Sequence, residues 1–318
     1  MTAEWPTVEP GPGDTVVIEQ RASPVVRRPG LPTVALVPIA GLVWWVVGFL
    51  PWILSGLTYG PGGTRSALPL VGAGLSPVVI GGGLGGLAAG AVVLLDRGPR
   101  VRRLVAVVGG VATAAIITLI QSLAVLRNPV PGNFSTADRV LAGLSLTLVV
   151  MTLVGVAWGL LVLAGPVGQG LTLAGAAGAL PVWMSTVLDV LGVERQNDLL
   201  HSGAVVRWLG AALLAAGLVR IGLRPAARLA WWPVAVVLAW VVGPTVTASG
   251  YLSGALRPGT RSSELLDFYV PAAWQVWKAA GTLEARPLAP WIAAIAVAAV
   301  VAFAVDRLHQ RRVEQPVP

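Results

Sequence analysis

The 318-residue chain is too apolar to fold as a water-soluble globule. Hydrophobic residues make up 55% of it and charged residues only 11%, with a mean hydropathy of +0.78. Soluble domains carry about 25% charged residues. This composition therefore indicates a protein whose surroundings are lipid.

Charge and residue usage exclude several classes of function. The net charge is +8. A basic surplus can indicate nucleic-acid binding, but arginines between apolar segments are typical of loops that orient a membrane protein, so we expect no nucleic-acid partner. The chain has no cysteine and only two histidines, which excludes disulfides, thiol chemistry and a histidine-based metal site. We expect no cofactor.

The chain begins with a proline-rich stretch of 32 residues that shows no apolar period and predicts a disordered tail. Eight apolar segments follow, each long enough to cross about 30 Å of hydrocarbon as a helix. They cover roughly 34–59, 70–95, 104–126, 140–164, 170–190, 203–222, 231–254 and 288–305. The prediction is an all-α polytopic transmembrane helix bundle over 33–306, with a short tail at 307–318.

Arginine placement predicts the orientation. With the N-terminus inside, more than half of the basic residues fall on one side of the membrane: Arg21, Arg27, Arg28, Arg97, Arg100, Arg102, Arg103, Arg220, Arg224, Arg228, Arg307, Arg311 and Arg312. The positive-inside rule then places both termini in the cytoplasm. Arginine outnumbers lysine strongly, which is typical of high-GC bacteria, so we expect a multi-pass protein of a bacterial cytoplasmic membrane.

One long outer loop, 255–287, mixes aromatic and charged residues and contains Phe268, Trp274, Trp277 and Lys278. This mixture predicts a helix that lies in the membrane interface. It would serve either as a lid over the bundle or as a docking surface for a partner or a lipid.

Glycines at four-residue spacing indicate close helix packing. The run from Gly81 to Gly86 matches a dinucleotide-binding pattern, but it lies inside an apolar segment rather than after a strand. Spacing of this kind lets two helix backbones approach each other in lipid. The glycines with this spacing are Gly82, Gly86 and Gly90, then Gly155 and Gly159, then Gly250 and Gly254.

Polar residues near the outer ends of the helices form a candidate cluster. We expect no charge at mid-depth, and Gln121 is the deepest strongly polar residue. Asp189 and Arg207 end and begin adjacent helices and are close enough in the predicted topology to pair. The outer loops and their edges contribute the remaining members: Arg65, Asp138, Arg139, Asp198, Arg261 and Glu264.

A short sequence repeat involves two of these loops. Gly-Thr-Arg-Ser at 63–66 recurs at 259–262. It fits either four repeated helical hairpins or chance similarity among small loop residues, and the second interpretation is favoured.

Three classes of function remain. The favoured one is a non-catalytic protein that binds another membrane protein or organises the envelope, in contact with the lipid bilayer. The alternative is a permease or transporter subunit for a neutral or lipid-like substrate, which predicts a hydrated cavity beside a broken helix. An enzyme is the least expected, because it would require outer-face groups such as Asp138, Asp198, His201, Glu264 and Asp267 to converge.

Overall fold

The computed structural model describes residues 31–58, 66–70, 74–127, 138–192, 199–256 and 265–314. Within these ranges the regular structure is entirely helical, and eight helices are long and apolar enough to cross a membrane. The prediction of an all-α, multi-pass bundle with eight spans is therefore confirmed.

The described ranges contain nine helices of eight residues or more. They are α1 (Leu36–Thr58), α2 (Leu75–Ala91), α3 (Arg100–Arg127), α4 (Asp138–Gly159), α5 (Pro166–Val190), α6 (Leu199–Ile221), α7 (Trp231–Tyr251), α8 (Val270–Ala280) and α9 (Ala289–Glu314). Of these, α8 has 11 residues and is too short to span the bilayer alone. A short π-helical turn, Leu265–Tyr269, leads into it.

The spans form two halves with separate apolar cores. One core is built from α1 to α4, and the other from α5, α6, α7 and α9. In the first half the main helix pairs are α1–α2, α1–α3 and α2–α4, and in the second they are α5–α6, α5–α7 and α6–α9. The two halves thus repeat one pairing order. Leu84, Ala176 and Ala179 pack together where the halves meet.

This structural repeat differs from the one in the sequence. The two Gly-Thr-Arg-Ser segments follow α1 and α7, whereas the pairing order makes α1 equivalent to α5. Most of both segments lies outside the described residues.

Polar contacts tie the helix ends together at one face of the bundle. There the Thr33 hydroxyl donates to the Asp96 carboxylate over 2.6 Å, and an Arg103 guanidinium nitrogen donates to the Asp96 carbonyl over 2.9 Å. In the second half, Arg224 and Asp306 form an ion pair at 3.9 Å. We call this face, which carries residues 96–103, 220–228 and 306–307, the arginine-rich face.

Hydrogen bonds set the charge state of Asp96. The Thr33 hydroxyl and the Gly98 N–H both bond its carboxylate, and they hold the pKa of Asp96 below its usual range. The carboxylate thus stays ionised and joins the start of α1 to the α2–α3 connection.

Glycines on two sides of α2 bring three helices into backbone contact. Gly81 and Gly85 face α1, where Gly48 lies against the Gly81 carbonyl. Gly86 and Gly90 face α4 instead. A Cβ at Gly86 would lie 2.7 Å from the Thr152 carbonyl oxygen, too close for a side chain to fit. The most extensive helix contact of the bundle, α2–α4, follows from this approach.

The other predicted packing glycines divide into two groups. Gly82, Gly155 and Gly159 lie in the α2–α4 contact. Gly250 and Gly254 do not bring two spans together. Gly254 leaves room for the Tyr269 ring, and Gly250 has only ordinary contacts with Ser76.

Replacing Gly86 should separate α2 from α4. We expect Gly86→Ala to lower the free energy of unfolding by about 1–3 kcal/mol, because the added methyl group meets backbone atoms that cannot move aside. Thermal unfolding in detergent measures the loss. The matched control is Gly109→Ala, since Gly109 has open space around it and a helical alanine there is favourable. Equal losses in the two variants would contradict the backbone contact.

The Asp96 network should depend on pH. Thr33→Val removes the largest cause of the lowered pKa, so the pKa of Asp96 rises toward its ordinary value of about 3.9. A lowered folded-state pKa stabilises the fold above the unfolded pKa, and this contribution disappears as pH falls through the folded pKa. We expect the variant to melt below the parent at pH 7, with the gap narrowing below about pH 4.

The control for this series is Thr118→Val, which removes a hydroxyl that bonds only within α3. The difference in melting temperature between Thr118→Val and the parent should not change with pH. A Thr33→Val gap of the same size at pH 7 and pH 3 would show that Asp96 ionisation does not contribute.

Candidate functional site

The short helix α8 runs along α7 rather than across the end of the bundle. Three contacts follow one another along the pair: Tyr269 with Gly254, Trp277 with Thr245, and Gly281 with Pro244. Later residues of α8 meet earlier residues of α7, so the two helices are antiparallel. The helix within the predicted outer loop thus extends along α7 as far as Pro244, near the middle of α7.

The chain then breaks and continues as α9. Residues 281–288 form turns, and α9 starts at Ala289, packs against α6 and reaches the arginine-rich face at Asp306. Both helices run toward the arginine-rich face, and residues 281–288 separate them. Trp232 marks the arginine-rich face by donating to the Gly222 carbonyl, and Trp240 lies eight residues farther along α7. At 1.5 Å per residue Trp240 is about 12 Å from that level, whereas Ala289, at the start of α9, is about 25 Å from Asp306.

Arg286 extends from this break into the bundle. Its Nη1 donates to the Trp240 carbonyl oxygen over 2.7 Å. The guanidinium carbon lies 5.7 Å from the centre of the Trp240 ring and 6.0 Å from that of Trp291. Gly243 has no side chain, and a Cβ there would overlap the guanidinium group. The cation is therefore held by one hydrogen bond, two aromatic faces and the space that a glycine leaves.

Pro244 explains why Arg286 binds at this point. In a regular helix the N–H of residue 244 would donate to the carbonyl of residue 240, but proline has no N–H. The Trp240 carbonyl is thus left without its helical donor, and Arg286 supplies one. An unpaired carbonyl inside a bundle costs about 1–3 kcal/mol, so this bond has a clear structural value.

The side chain of Arg286 reaches farther into the bundle than its place in the sequence predicts. Counting along the chain places this residue in an outer loop, yet its side chain ends beside Trp240, midway along the 21-residue α7. The reason is that the loop re-enters the bundle. The sequence feature that indicates this contact is Pro244, because a proline inside a helix leaves the carbonyl four residues before it without a hydrogen-bond donor.

A cavity of about 160 Å³ adjoins the break. Both Arg207, on α6, and Arg286 line it, and the structure shows no carboxylate within 4 Å of either guanidinium in its described portion. Pro181 also lines it and removes the helical donor for the Ala177 carbonyl. The full lining is Ala177, Gly178, Pro181, Arg207, Gly210, Ala211, Ala285, Arg286, Pro287, Pro290 and Trp291.

Of the predicted outer cluster, the structure describes the side chains of two members. Asp189 and Arg207 are both exposed and do not form an ion pair. Asp138 and Arg139 begin α4, but their side chains lie outside the described residues. The remaining members, Arg65, Asp198, Arg261 and Glu264, lie outside the described residues altogether. Of the two members whose side chains are described, Arg207 lines the cavity and Asp189 does not.

Gln121 has a structural task. Residues 66–70 enter the first half as non-helical chain, with Leu68 and Leu70 fully buried. Buried backbone of this kind needs hydrogen-bond partners from neighbouring helices. The bonds run from Ala67 N–H to Gln121 Oε1, from Leu68 N–H to Ser122 Oγ, from Trp45 Nε1 to the Ala67 carbonyl, and from Trp52 Nε1 to the Ser66 carbonyl.

Comparison with known proteins gives no match to a family model, to a curated protein sequence or to a solved structure. In the part of the chain that the structure covers, no three His, Asp or Glu side chains are grouped to hold a metal ion.

The bond between Arg286 and Trp240 can be tested by a double-mutant cycle. Arg286→Met should lower the free energy of unfolding by about 1–3 kcal/mol, because the Trp240 carbonyl loses its donor. In a Pro244→Ala background the helix supplies that donor itself, so the same substitution should cost less. Thermal unfolding of the four proteins gives the coupling, which we expect to be about 1 kcal/mol. Additive effects would show that Pro244 does not create the need for Arg286.

Proposed function

We propose that the protein is a permease or transporter subunit whose substrate route passes the break between α8 and α9. The observation that carries the proposal is the guanidinium of Arg286, midway along α7 and beside a cavity. Ionisable groups deep in a membrane bundle are costly and mark substrate or ion pathways.

Three further features support this proposal. Interrupted helices form the substrate sites of many transporters, and their broken ends face the ligand. Pro181 and Pro244 interrupt the hydrogen bonding of α5 and α7 beside the same cavity. The shared pairing order of the two halves is also a common feature of transporter folds.

The proposal includes the surroundings of the protein. We place it in a bacterial cytoplasmic membrane, with the arginine-rich face and both termini toward the cytoplasm, in accordance with the positive-inside rule. A substrate that the guanidinium of Arg286 attracts would be charged, which differs from the neutral or lipid-like substrate expected from the sequence.

The other two classes of function stay predictions. A partner-binding protein would use the surface of α8, where Phe268 and Trp274 are more than half exposed. That the protein is not an enzyme also stays a prediction, and no catalytic residues are proposed.

The route can be tested with single cysteines, because the natural chain has none. Ala211 lines the cavity, while its neighbour Ala212 is exposed on α6 and does not line it. We expect Ala211→Cys to react with membrane-impermeant methanethiosulfonate reagents in both right-side-out and inside-out vesicles. A permease must open its site to each side in turn, so both preparations should be labelled.

The controls are Ala212→Cys, whose thiol should stay protonated in lipid and react slowly, and Ala298→Cys, which is fully buried against α6. Labelling of Ala211→Cys from one side only would contradict a permease and favour a binding protein with a crevice.

A further inference from the structure

Two positive charges share the cavity beside the break, and the described part of the chain places no carboxylate within 4 Å of either. Arg207 and Arg286 reach it from different elements, and its other lining residues are Ala, Gly, Pro and Trp. Like charges that face one space repel each other, and an anion that binds between them relieves the repulsion. The charge of the cavity thus favours an anionic ligand.

The donors of Arg286 are only partly used by the protein. A guanidinium has five N–H donors, and the hydrogen bond to the Trp240 carbonyl uses one nitrogen. The two tryptophan rings hold the guanidinium in place. A planar, fixed guanidinium with free donors suits a carboxylate or phosphate, which it can bind through two parallel hydrogen bonds.

The N-terminus of α9 adds to the positive charge of the cavity. Pro287, Pro290 and Trp291 place the first turn of this helix at the cavity wall. The N-terminus of a helix carries a partial positive charge, which favours anions. The site does not depend on this feature, because the two arginines already define it.

We infer that the cavity is an oxyanion site, in which Arg286 and Arg207 bind the carboxylate or phosphate group of the substrate. A volume of about 160 Å³ accommodates one such group with a small apolar remainder. This assignment of substrate class rests on the proposed transport function. The same chemistry would also bind the phosphate of a lipid headgroup, and the experiment separates these sources.

The charge selectivity of Ala211→Cys tests the site without knowledge of the substrate. An anionic methanethiosulfonate reagent should react faster than a cationic one, after each rate is divided by its rate with a free thiol. We expect this preference to fall about tenfold when Arg286→Gln removes one of the two charges. Arg207→Gln should lower it as well.

Two control variants separate charge from position. Arg228→Gln removes a charge from the arginine-rich face, away from the cavity, and should leave the preference unchanged. Gly243→Ala keeps the charge but displaces the guanidinium, so it should lower the preference while the protein stays folded. Thermal unfolding checks that each variant is folded.

Protection experiments then identify the source of the oxyanion. In detergent, sodium benzoate or inorganic phosphate should slow the labelling of Ala211→Cys, and Arg286→Gln should abolish this protection. If phosphatidylglycerol protects and neither soluble anion does, the ligand is a lipid headgroup. That result would overturn a soluble substrate and retain the oxyanion site.

Two results would overturn the site itself. One is that Ala211→Cys, with both arginines present, prefers the anionic reagent no more than a free thiol does, and that adding Arg286→Gln does not change this preference. The other is a preference without protection by benzoate, phosphate or phosphatidylglycerol. If Ala211→Cys is labelled from one side only but strongly prefers the anionic reagent, the permease proposal alone is contradicted. If it is labelled from both sides but shows no preference for the anionic reagent, the oxyanion site alone is contradicted.

Discussion

Lipid provides no hydrogen-bond partners, so every backbone group that leaves a regular helix must find one inside the protein. This constraint explains two irregular parts of the bundle. In the first half, Gln121 and Ser122 receive the N–H groups of the buried segment 66–70. In the second half, Arg286 donates to the carbonyl that Pro244 leaves unpaired. The same chemical need is met by neutral groups in one half and by a cation in the other.

The difference between the halves follows from how their helices are built. Glycines let α1, α2 and α4 pack backbone against backbone, and α4 continues without interruption from Asp138 to Gly159. Its counterpart in the pairing order, α9, is preceded by a break and by α8. The candidate site therefore lies where the second half departs from the repeat.

A cation in this position has a structural role and also leaves binding capacity unused. One nitrogen of Arg286 satisfies the Trp240 carbonyl, and the rings of Trp240 and Trp291 cover part of the guanidinium. A neutral donor would meet the structural need at a lower desolvation cost. The use of an arginine, beside a cavity that also contains Arg207, is better explained by a ligand that requires positive charge.

Much of the fold followed from local sequence patterns. Long uncharged segments determined eight spanning helices, because only a helix satisfies its own backbone in lipid. The spacing of Gly82, Gly86 and Gly90 indicated a close helix contact, although only the structure identified α4 as the partner. The same spacing at Gly250 and Gly254 corresponds to no close backbone approach, because Gly250 has only an ordinary contact with Ser76 and the Tyr269 ring occupies the space beside Gly254.

The sequence by itself determined how many helices cross the membrane and which ends carry the arginines, because length, hydropathy and charge are properties of each segment alone. Only the tertiary structure decided how deep Arg286 lies. Its depth depends on the path of α8 along α7 and on the space left by Gly243, which are relations between segments distant in the chain. Hydropathy along a sequence carries no information about a loop that turns back into the bundle.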